Sequence, residues 1–302
     1  MRTLTELMDT DPNDPEVRDL AKRIPQSSEA LDALANAGND VRTTSFQLCR
    51  LANLGLDHTD PRAKKIAERI FASQRKDGSW PVESDRYQMI PMQTAAPLRG
   101  IAAIGLATDP RAERAYDWLL DKRLDDGTWP TGISHGHKGY TAGYRRLPRS
   151  EGCRSNTTAA LACFVHHPQR RLSDDTRRPL DVLLGRETRD EWTVGYEIAR
   201  LVGVEKARGF FTFYQRFDLA FVLELASRAG ASVDDERVAD LAGFLADLRG
   251  PYGLWEHRDH PQLSRWLTLH ILTSLKRLDA GDWTGTDLRV SFRPYAKGRP
   301  RY

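Results

Sequence analysis

Apolar and polar residues recur along the chain with the 3.6-residue period of α-helices. One set of segments is apolar around most of its circumference and rich in Ala, Leu and Thr, which is typical of helices buried on nearly all sides. These segments span residues 42–56, 93–106, 154–167, 216–230 and 265–278. No segment shows convincing period-2 alternation, so the pattern predicts an all-α fold with almost no sheet.

A second set of helices alternates with the first and is amphipathic, with charged residues on one face. These helices span residues 60–74, 109–123, 174–186 and 234–249. Most of them open with acidic residues, and two carry proline at the first helical position, which favours a helix start. Because one such helix pair cannot bury its apolar member alone, the pairs are expected to stack on one another.

A turn motif containing tryptophan ends most of the helix pairs. It reads QRKDGSWP at 74–81, LDDGTWP at 124–130 and GPYGLWEH at 250–257, with a degenerate copy, ETRDEWT, at 187–193. Glycine tolerates the positive φ that ends a helix, and the tryptophan buries a large area with one N–H left to satisfy. The motif is therefore expected to pin the link onto neighbouring helices and to take no direct part in chemistry.

The motif resembles the Gln-Trp repeats of triterpene cyclases and the glycine-rich repeats of protein prenyltransferase β subunits. As whole repeats, the resemblance covers residues 28–278. It implies an α/α toroid of about five to six helical-hairpin repeats with Asp-Gly-x-Trp turns, in which inner helices surround a central cavity. We expect one domain over residues 1–284, with N-terminal helices within 15–37 packing on it, and a basic, extended or disordered tail over 285–302.

Composition narrows the class of protein. The chain has 302 residues, of which 40% are hydrophobic and 29% charged, and its net charge of +3 is too small to favour a nucleic-acid partner. Three cysteines argue against a disulfide framework. The N-terminus lacks the apolar region of a signal peptide, and no stretch approaches the roughly 18 apolar residues of a spanning helix. We therefore expect a cytoplasmic protein with no membrane span.

The resemblance places the site at the starts of the inner helices, which meet at one mouth of the cavity. Arginine stands at four of the five starts, and both helix N-termini and guanidinium groups favour anions such as diphosphate. The expected ligand is an isoprenoid diphosphate or a similar anionic small molecule. The candidate ligand-binding residues are Arg42, Gln93, Arg154, Tyr214, Arg216, Arg265 and Trp266.

Class II terpene cyclases protonate an alkene with an aspartate of a D-x-D-D-T motif. The segment DVRTT at 40–44 keeps Asp40 of this motif, but Arg42 and Thr43 stand where the central acid belongs. Arginine cannot donate a proton at neutral pH, so another acid such as Asp218 would have to replace it. Asp40 and Asp218 are the candidate catalytic residues, and the chemical step stays unassigned.

Zinc-dependent prenyl transfer is a second chemistry that the resemblance suggests. Enzymes of that kind hold zinc with an Asp-x-Cys pair and a later histidine. Here Glu151, Cys153 and His270 supply a carboxylate, a thiol and an imidazole, which suit zinc. Glutamate replaces aspartate, and His270 sits well inside its helix, so the pattern is matched incompletely. Such an enzyme would also need a partner subunit.

Two other interpretations stay open beside a terpene cyclase- or prenyltransferase-like enzyme. The first is a non-catalytic repeat scaffold that binds a peptide or a partner protein, for which an interior filled by side chains would be expected. The second is a carbohydrate-acting α/α barrel, which needs paired carboxylates flanking a cleft. Asp40, Asp218 and Glu224 are the acids in suitable places. The long loop with His135 and His137 is expected to cap the cavity mouth.

Overall fold

A computed structural model describes residues 1–38, 40–80, 90–130, 147–186, 192–204 and 217–291. Within these ranges the chain forms twelve α-helices and short 3₁₀- or π-helical turns, with three isolated bridges and no β-strand. The helices are α1 (Pro15–Arg23), α2 (Ser28–Ala35), α3 (Val41–Leu54), α4 (Pro61–Ala72), α5 (Ile90–Ile101), α6 (Pro110–Asp121), α7 (Arg154–Phe164), α8 (Asp174–Leu184), α9 (Tyr196–Leu201), α10 (Leu219–Arg228), α11 (Glu236–Asp247) and α12 (Ser264–Asp279).

All nine helices expected from the hydrophobic pattern are present, with ends that differ by a few residues. Their starts follow the local chemistry. Asp60 and Asp109 cap α4 and α6 by accepting backbone N–H bonds, and the proline after each occupies the first helical position. The short α9 was not expected, because six residues are too few to show a helical period.

The inner helices α3, α5, α7, α10 and α12 form a ring. Packing is most extensive between α3 and α5, α5 and α7, and α10 and α12. Leu161 and Ala162 of α7 share a buried apolar cluster with α10 and α12. The ring closes where His270 of α12 lies 2.8 Å from Asn53 Oδ1 of α3. This arrangement confirms the predicted all-α toroid.

The outer helices α4, α6, α8 and α11 follow the inner helices along the chain and pack on them with their apolar faces. Their opposite faces are charged, as expected for amphipathic helices at a surface. Among the described residues, no helix combines the length and the apolar character needed to cross a membrane.

The tryptophans of the three intact turn motifs make the same pair of hydrogen bonds. The indole Nε1 of Trp80, Trp129 and Trp255 donates to a carbonyl ten residues earlier, near the end of the outer helix, at 2.9, 2.7 and 2.6 Å. The backbone N of each also donates to a threonine on the following inner helix. The degenerate copy differs, since Trp192 is 42% exposed. The motif thus joins outer helix to inner helix, as predicted.

Gly78 shows why the motif needs glycine. Its φ is +93°, and a Cβ placed there would lie 2.4 Å from the backbone oxygen of Arg114 in the next outer helix. Gln74 reinforces the same contact, because its Nε2 donates to the carbonyl oxygens of Gly78 and Arg111, both at 2.9 Å. The turn therefore connects neighbouring repeats as well as the two helices of one repeat.

The first part of the C-terminal tail is extended and is fixed to the outer helices. Gly285 N donates to Asp235 Oδ2 at 2.9 Å, and Arg237 Nη1 donates to the carbonyl of Asp287 at 2.9 Å. Val290 forms an isolated bridge with Arg186 after α8. The more basic residues 292–302 lie outside the described ranges.

Candidate functional site

The C-terminal parts of α3, α5 and α10, the turn after α7 and the middle of α12 meet at a cavity of about 150 Å³, called here the polar chamber. Asn53 comes from the end of α3, Ala103 from the turn after α5, and Arg228 from the last turn of α10. The N-terminal segment contributes two charged residues. The lining consists of Arg2, Glu6, Cys49, Ala52, Asn53, Arg99, Ala103, His166, Leu201, Glu224, Arg228 and His270.

Asn53 and His270 form a polar contact across one wall of the polar chamber. Asn53 Oδ1 accepts a hydrogen bond from Arg2 Nη1 at 2.9 Å and lies 2.8 Å from His270 Nε2. Burial lowers the pKa of His270 despite the nearby carboxylate of Glu224, so the imidazole is neutral near pH 7. Asn53 Nδ2 is buried and has no hydrogen-bond partner among the described residues. It is a donor suited to an acceptor placed in the chamber.

Glu224 is a buried carboxylate in the lining of the polar chamber. Its Oε1 accepts from Arg228 Nε at 2.9 Å, and its Oε2 lies 3.5 Å from His270 Nδ1. Burial alone would raise the pKa of Glu224, but the charges of Arg228 and Arg277 and the hydrogen bond from His270 hold it well below its usual range. Glu224 is therefore ionised and neutralises part of the surrounding positive charge.

The helix α9 places a second ion-pair group beside the polar chamber. Arg99 of α5 donates to Glu197 at 2.6 Å, and Arg200 donates to the other oxygen of the same carboxylate at 2.8 Å. The guanidinium groups also lie over aromatic rings, Arg99 at 5.0 Å from Phe221 and Arg200 at 4.6 Å from Phe46. Because α9 is short and buried, it brings charged side chains into the ring interior.

Positive charge exceeds negative charge in these connected ion pairs. Two of the glutamates are each shared by two arginines, and the third pairs with one arginine and the neutral His270. Three arginines and two glutamates line the chamber itself: Arg2, Arg99, Arg228, Glu6 and Glu224. Their further partners Arg200, Arg277 and Glu197 do not line it. Burial and then the repulsion of Arg228 lower the pKa of Arg277. This imbalance favours an anionic ligand.

Asp218, a predicted catalytic residue, holds α9 against the start of α10. Its buried carboxylate accepts backbone N–H bonds from Gly195 at 3.0 Å and Glu197 at 2.8 Å, and it caps α10 by accepting from Ala220 at 3.1 Å. Burial raises the pKa of Asp218 to about 6, although these hydrogen bonds act to lower it. The observed geometry gives this side chain a structural role in positioning α9.

A second cavity of about 170 Å³, called here the lateral pocket, lies on the other side of the end of α9. Leu201 lines both the lateral pocket and the polar chamber. Two predicted ligand-binding residues, Arg265 and Trp266, meet in this pocket. The remaining lining residues are Glu29, Arg50, Leu54, Leu201, Val202, Val204, Gln262 and Leu263.

The other predicted residues lie in different environments. Asp40 is an exposed cap of α3 whose pKa is lowered, because the hydrogen bonds from Thr43 outweigh its burial. A carboxylate held ionised in this way is a poor proton donor near neutral pH. Arg42, next to it, is half-buried. Arg154 is fully buried, with Nη2 3.3 Å from the carbonyl of Arg186.

Gln93 is also buried, in α5, whereas Arg265 is exposed. The described arginines at the inner-helix starts therefore range from buried to exposed. They do not share the single environment that the sequence suggested. Tyr214 and Arg216, with His135 and His137 of the long loop, lie outside the described residues.

The predicted zinc ligands do not form a metal site. The described residues contain no group of three or more His, Cys, Asp or Glu side chains suited to a metal ion. Glu151 is exposed and Cys153 is buried directly before α7, whereas His270 contacts Asn53 and Glu224 at the polar chamber. His270 therefore lines the polar chamber. The structure does not bring Glu151, Cys153 and His270 together as a zinc site.

The predicted site lay at the starts of the inner helices, so the chamber residues Arg2, Glu6 and Arg228 were not predicted. Glu224 was predicted only as an acid of a carbohydrate-acting barrel. Arg228 and Glu224 are spaced i, i+4 near the end of α10, a spacing that places both on one helix face. Arg2 and Glu6 show the same spacing in the N-terminal segment. These pairs could have been noted, but the sequence does not show that they face the ring interior.

Comparison with solved structures finds type II terpene cyclases. An arginine-to-alanine variant of MstE from Scytonema, in complex with geranylgeranyl dihydroxybenzoate, aligns with a TM-score of 0.50 and 18% identity over 87% of this chain and 74% of that chain. MstE without ligand aligns with a TM-score of 0.49 and 16% identity over 86% and 74%. No family model and no curated protein matches the sequence. The chain thus has the α/α-toroid fold seen in these cyclases.

Proposed function

We propose that the protein binds an anionic isoprenoid small molecule and that the polar chamber receives its anionic group. The observation that supports this proposal is the excess of arginines over glutamates around a cavity inside the ring. Asn53 Nδ2, which has no hydrogen-bond partner among the described residues, adds a neutral donor at the same wall. The fold neighbour MstE, bound to a geranylgeranyl dihydroxybenzoate, supports a prenylated ligand for this fold.

The size of the polar chamber limits what it receives. Small-molecule pockets usually enclose about 300–1,000 Å³, whereas the chamber encloses about 150 Å³. The chamber therefore has room for a head group such as a diphosphate, and the hydrocarbon part extends elsewhere. Arginine suits this task, because its planar guanidinium binds two phosphate oxygens at once.

The chemical step stays unassigned in this proposal. Alkene protonation needs an acid with a free proton directed at the substrate. Asp40 is an ionised helix cap, and the oxygens of Asp218 accept backbone N–H bonds. We therefore propose ligand binding as the function.

A non-catalytic scaffold is a second candidate function. The observation that favours it is the occupation of the ring interior by α9, whose Glu197 is completely buried between Arg99 and Arg200. A filled interior suits a protein that binds a peptide or a partner on its outside. The binding experiment below distinguishes the two candidates, because a pure scaffold has no affinity for small anions.

Calorimetric titration with inorganic diphosphate and geranyl diphosphate tests the proposal. The wild type should bind both ligands, and Arg228→Gln should weaken both by about 10- to 100-fold, since a hydrogen bond to a charged group contributes about 1.5–3 kcal/mol. Arg228→Lys, which keeps the positive charge, should lose less affinity for both ligands. Arg23→Gln is the matched control, because Arg23 also lies in a last helical turn but is 73% exposed.

Each variant is first compared with the wild type by circular dichroism, so that loss of binding is not confused with loss of folding. If the folded wild type binds neither diphosphate, the proposed function is wrong and the scaffold is favoured. Equal weakening by Arg228→Gln and Arg23→Gln would place the binding outside the polar chamber.

A further inference from the structure

The lateral pocket has a different chemistry from the polar chamber that it adjoins. Its inner wall is built of branched aliphatic side chains and one indole, from Leu54, Leu201, Val202, Val204, Leu263 and Trp266. Its charged lining residues are the exposed Glu29 and Arg265 and the buried Arg50, which pairs with Asp32 at 3.0 Å. A concave, mostly apolar wall with a few polar groups is typical of a site for a small hydrocarbon group.

The two cavities meet at one side chain. Leu201, the last residue of α9, lines both of them, so a ligand that occupied both cavities would have to pass this side chain. Val202 and Val204 follow directly and belong to the lateral pocket alone. The end of α9 therefore divides a cationic compartment from an apolar one.

We infer that the lateral pocket is the subsite for a short branched hydrocarbon group attached to the anion that the polar chamber binds. This inference rests on the proposed function, because it needs an anionic group in the chamber. The pocket encloses about 170 Å³, close to the about 150 Å³ of an engineered cavity that takes up benzene. It is thus matched to a group of about five or six carbon atoms, with longer chains continuing beyond it.

The position of α9 controls both compartments. Asp218 holds the start of α9 through two backbone N–H bonds, and Glu197 within the helix is held by Arg99 and Arg200. The side chains of Leu201 and Val202 are therefore set by contacts on the polar side. This coupling keeps the apolar pocket aligned with the anion site.

The test compares inorganic diphosphate with dimethylallyl diphosphate, which adds one five-carbon branched group. By calorimetry the wild type should bind dimethylallyl diphosphate at least about tenfold more tightly, since each buried CH₂ contributes about 0.8 kcal/mol. Val202→Phe, which fills the pocket, should leave the affinity for inorganic diphosphate unchanged. It should abolish the additional affinity for dimethylallyl diphosphate. Val202→Ala, which enlarges the pocket, should keep both ligands bound and increase the relative affinity for geranyl diphosphate.

The outcomes separate this inference from the proposed function. If the wild type binds neither inorganic diphosphate nor dimethylallyl diphosphate, the proposed function fails and the subsite with it. If inorganic diphosphate binds but the five-carbon group adds no affinity, the lateral pocket is not its subsite. The same conclusion holds if folded Val202→Phe still binds dimethylallyl diphosphate more tightly than inorganic diphosphate by the wild-type factor. The two Val202 variants provide independent tests should one of them fold poorly.

Discussion

Replacing Asp218 by asparagine should change the way in which stability depends on pH. Asp218 has no exposed surface, and burial raises its pKa from 3.8 to about 6. Between these two values the folded state keeps a proton that the unfolded state has released, so this residue makes the wild type less stable as the pH rises. A shift of about two pKa units corresponds to about 3 kcal/mol.

Asparagine cannot ionise, so Asp218→Asn lacks this pH-dependent loss. The amide also turns an NH₂ group towards one of the backbone N–H donors of Gly195 or Glu197, which costs about 1–3 kcal/mol at all pH values. The free energy of unfolding of the variant relative to wild type should therefore rise by about 2.4 kcal/mol between pH 4 and pH 7. Urea unfolding followed by far-UV circular dichroism at several pH values measures this difference.

Asp60→Asn is the matched control with the opposite sign. Asp60 also caps a helix, but the hydrogen bond from Arg62 lowers its pKa despite partial burial, so the wild type loses stability as the pH falls. The relative stability of that variant should fall as the pH rises through 4. If the difference for Asp218→Asn did not change with pH, Asp218 would titrate alike in the folded and unfolded states. The burial argument would then be refuted.

Three further predictions concern the turn motif and the polar chamber. Trp129→Phe should lower the free energy of unfolding by about 2–4 kcal/mol, because it removes a buried hydrogen bond and leaves a cavity. Trp192→Phe is the control and should change this free energy by less than about 0.5 kcal/mol. Urea titrations measure both values. Gly78→Ala should lower the melting temperature, and Gly243→Ala, which meets no atom within 4 Å in α11, should raise it. Calorimetry should show that sulfate binds more tightly as the pH falls from 7 to 5. Burial disfavours the protonated imidazole of His270, but a dianion bound next to it stabilises that form. His270→Gln should therefore reduce the pH dependence of sulfate binding.

Most of the fold could be predicted because its signals are local. Helix starts such as Asp60 and Asp109 depend on side chains within three residues of the capped N–H groups. The tryptophan motif repeats the same spacing in each intact copy, so Trp80, Trp129 and Trp255 make equivalent hydrogen bonds. Such regularities appear in the sequence before any tertiary contact is known.

The candidate site was predicted much less well, because it depends on contacts between residues far apart in the chain. The sequence indicated the starts of the inner helices, but the polar chamber lies at the C-terminal parts of α3, α5 and α10. His270 was selected as a zinc ligand, yet its partners are Asn53 and Glu224. Arg265 and Trp266 do share a pocket, although it is lateral to the polar chamber.

The sequence by itself determined the helices, their alternation and the repeated tryptophan turns, since periodicity and capping act within a few residues. Only the tertiary structure decided that α9 enters the ring, that Glu197 is shared by Arg99 and Arg200, and that arginines outnumber glutamates around the polar chamber. The physical reason is that burial and charge balance are properties of residues brought together from the whole chain. The same helices with a different interior would have kept the fold and lost the site.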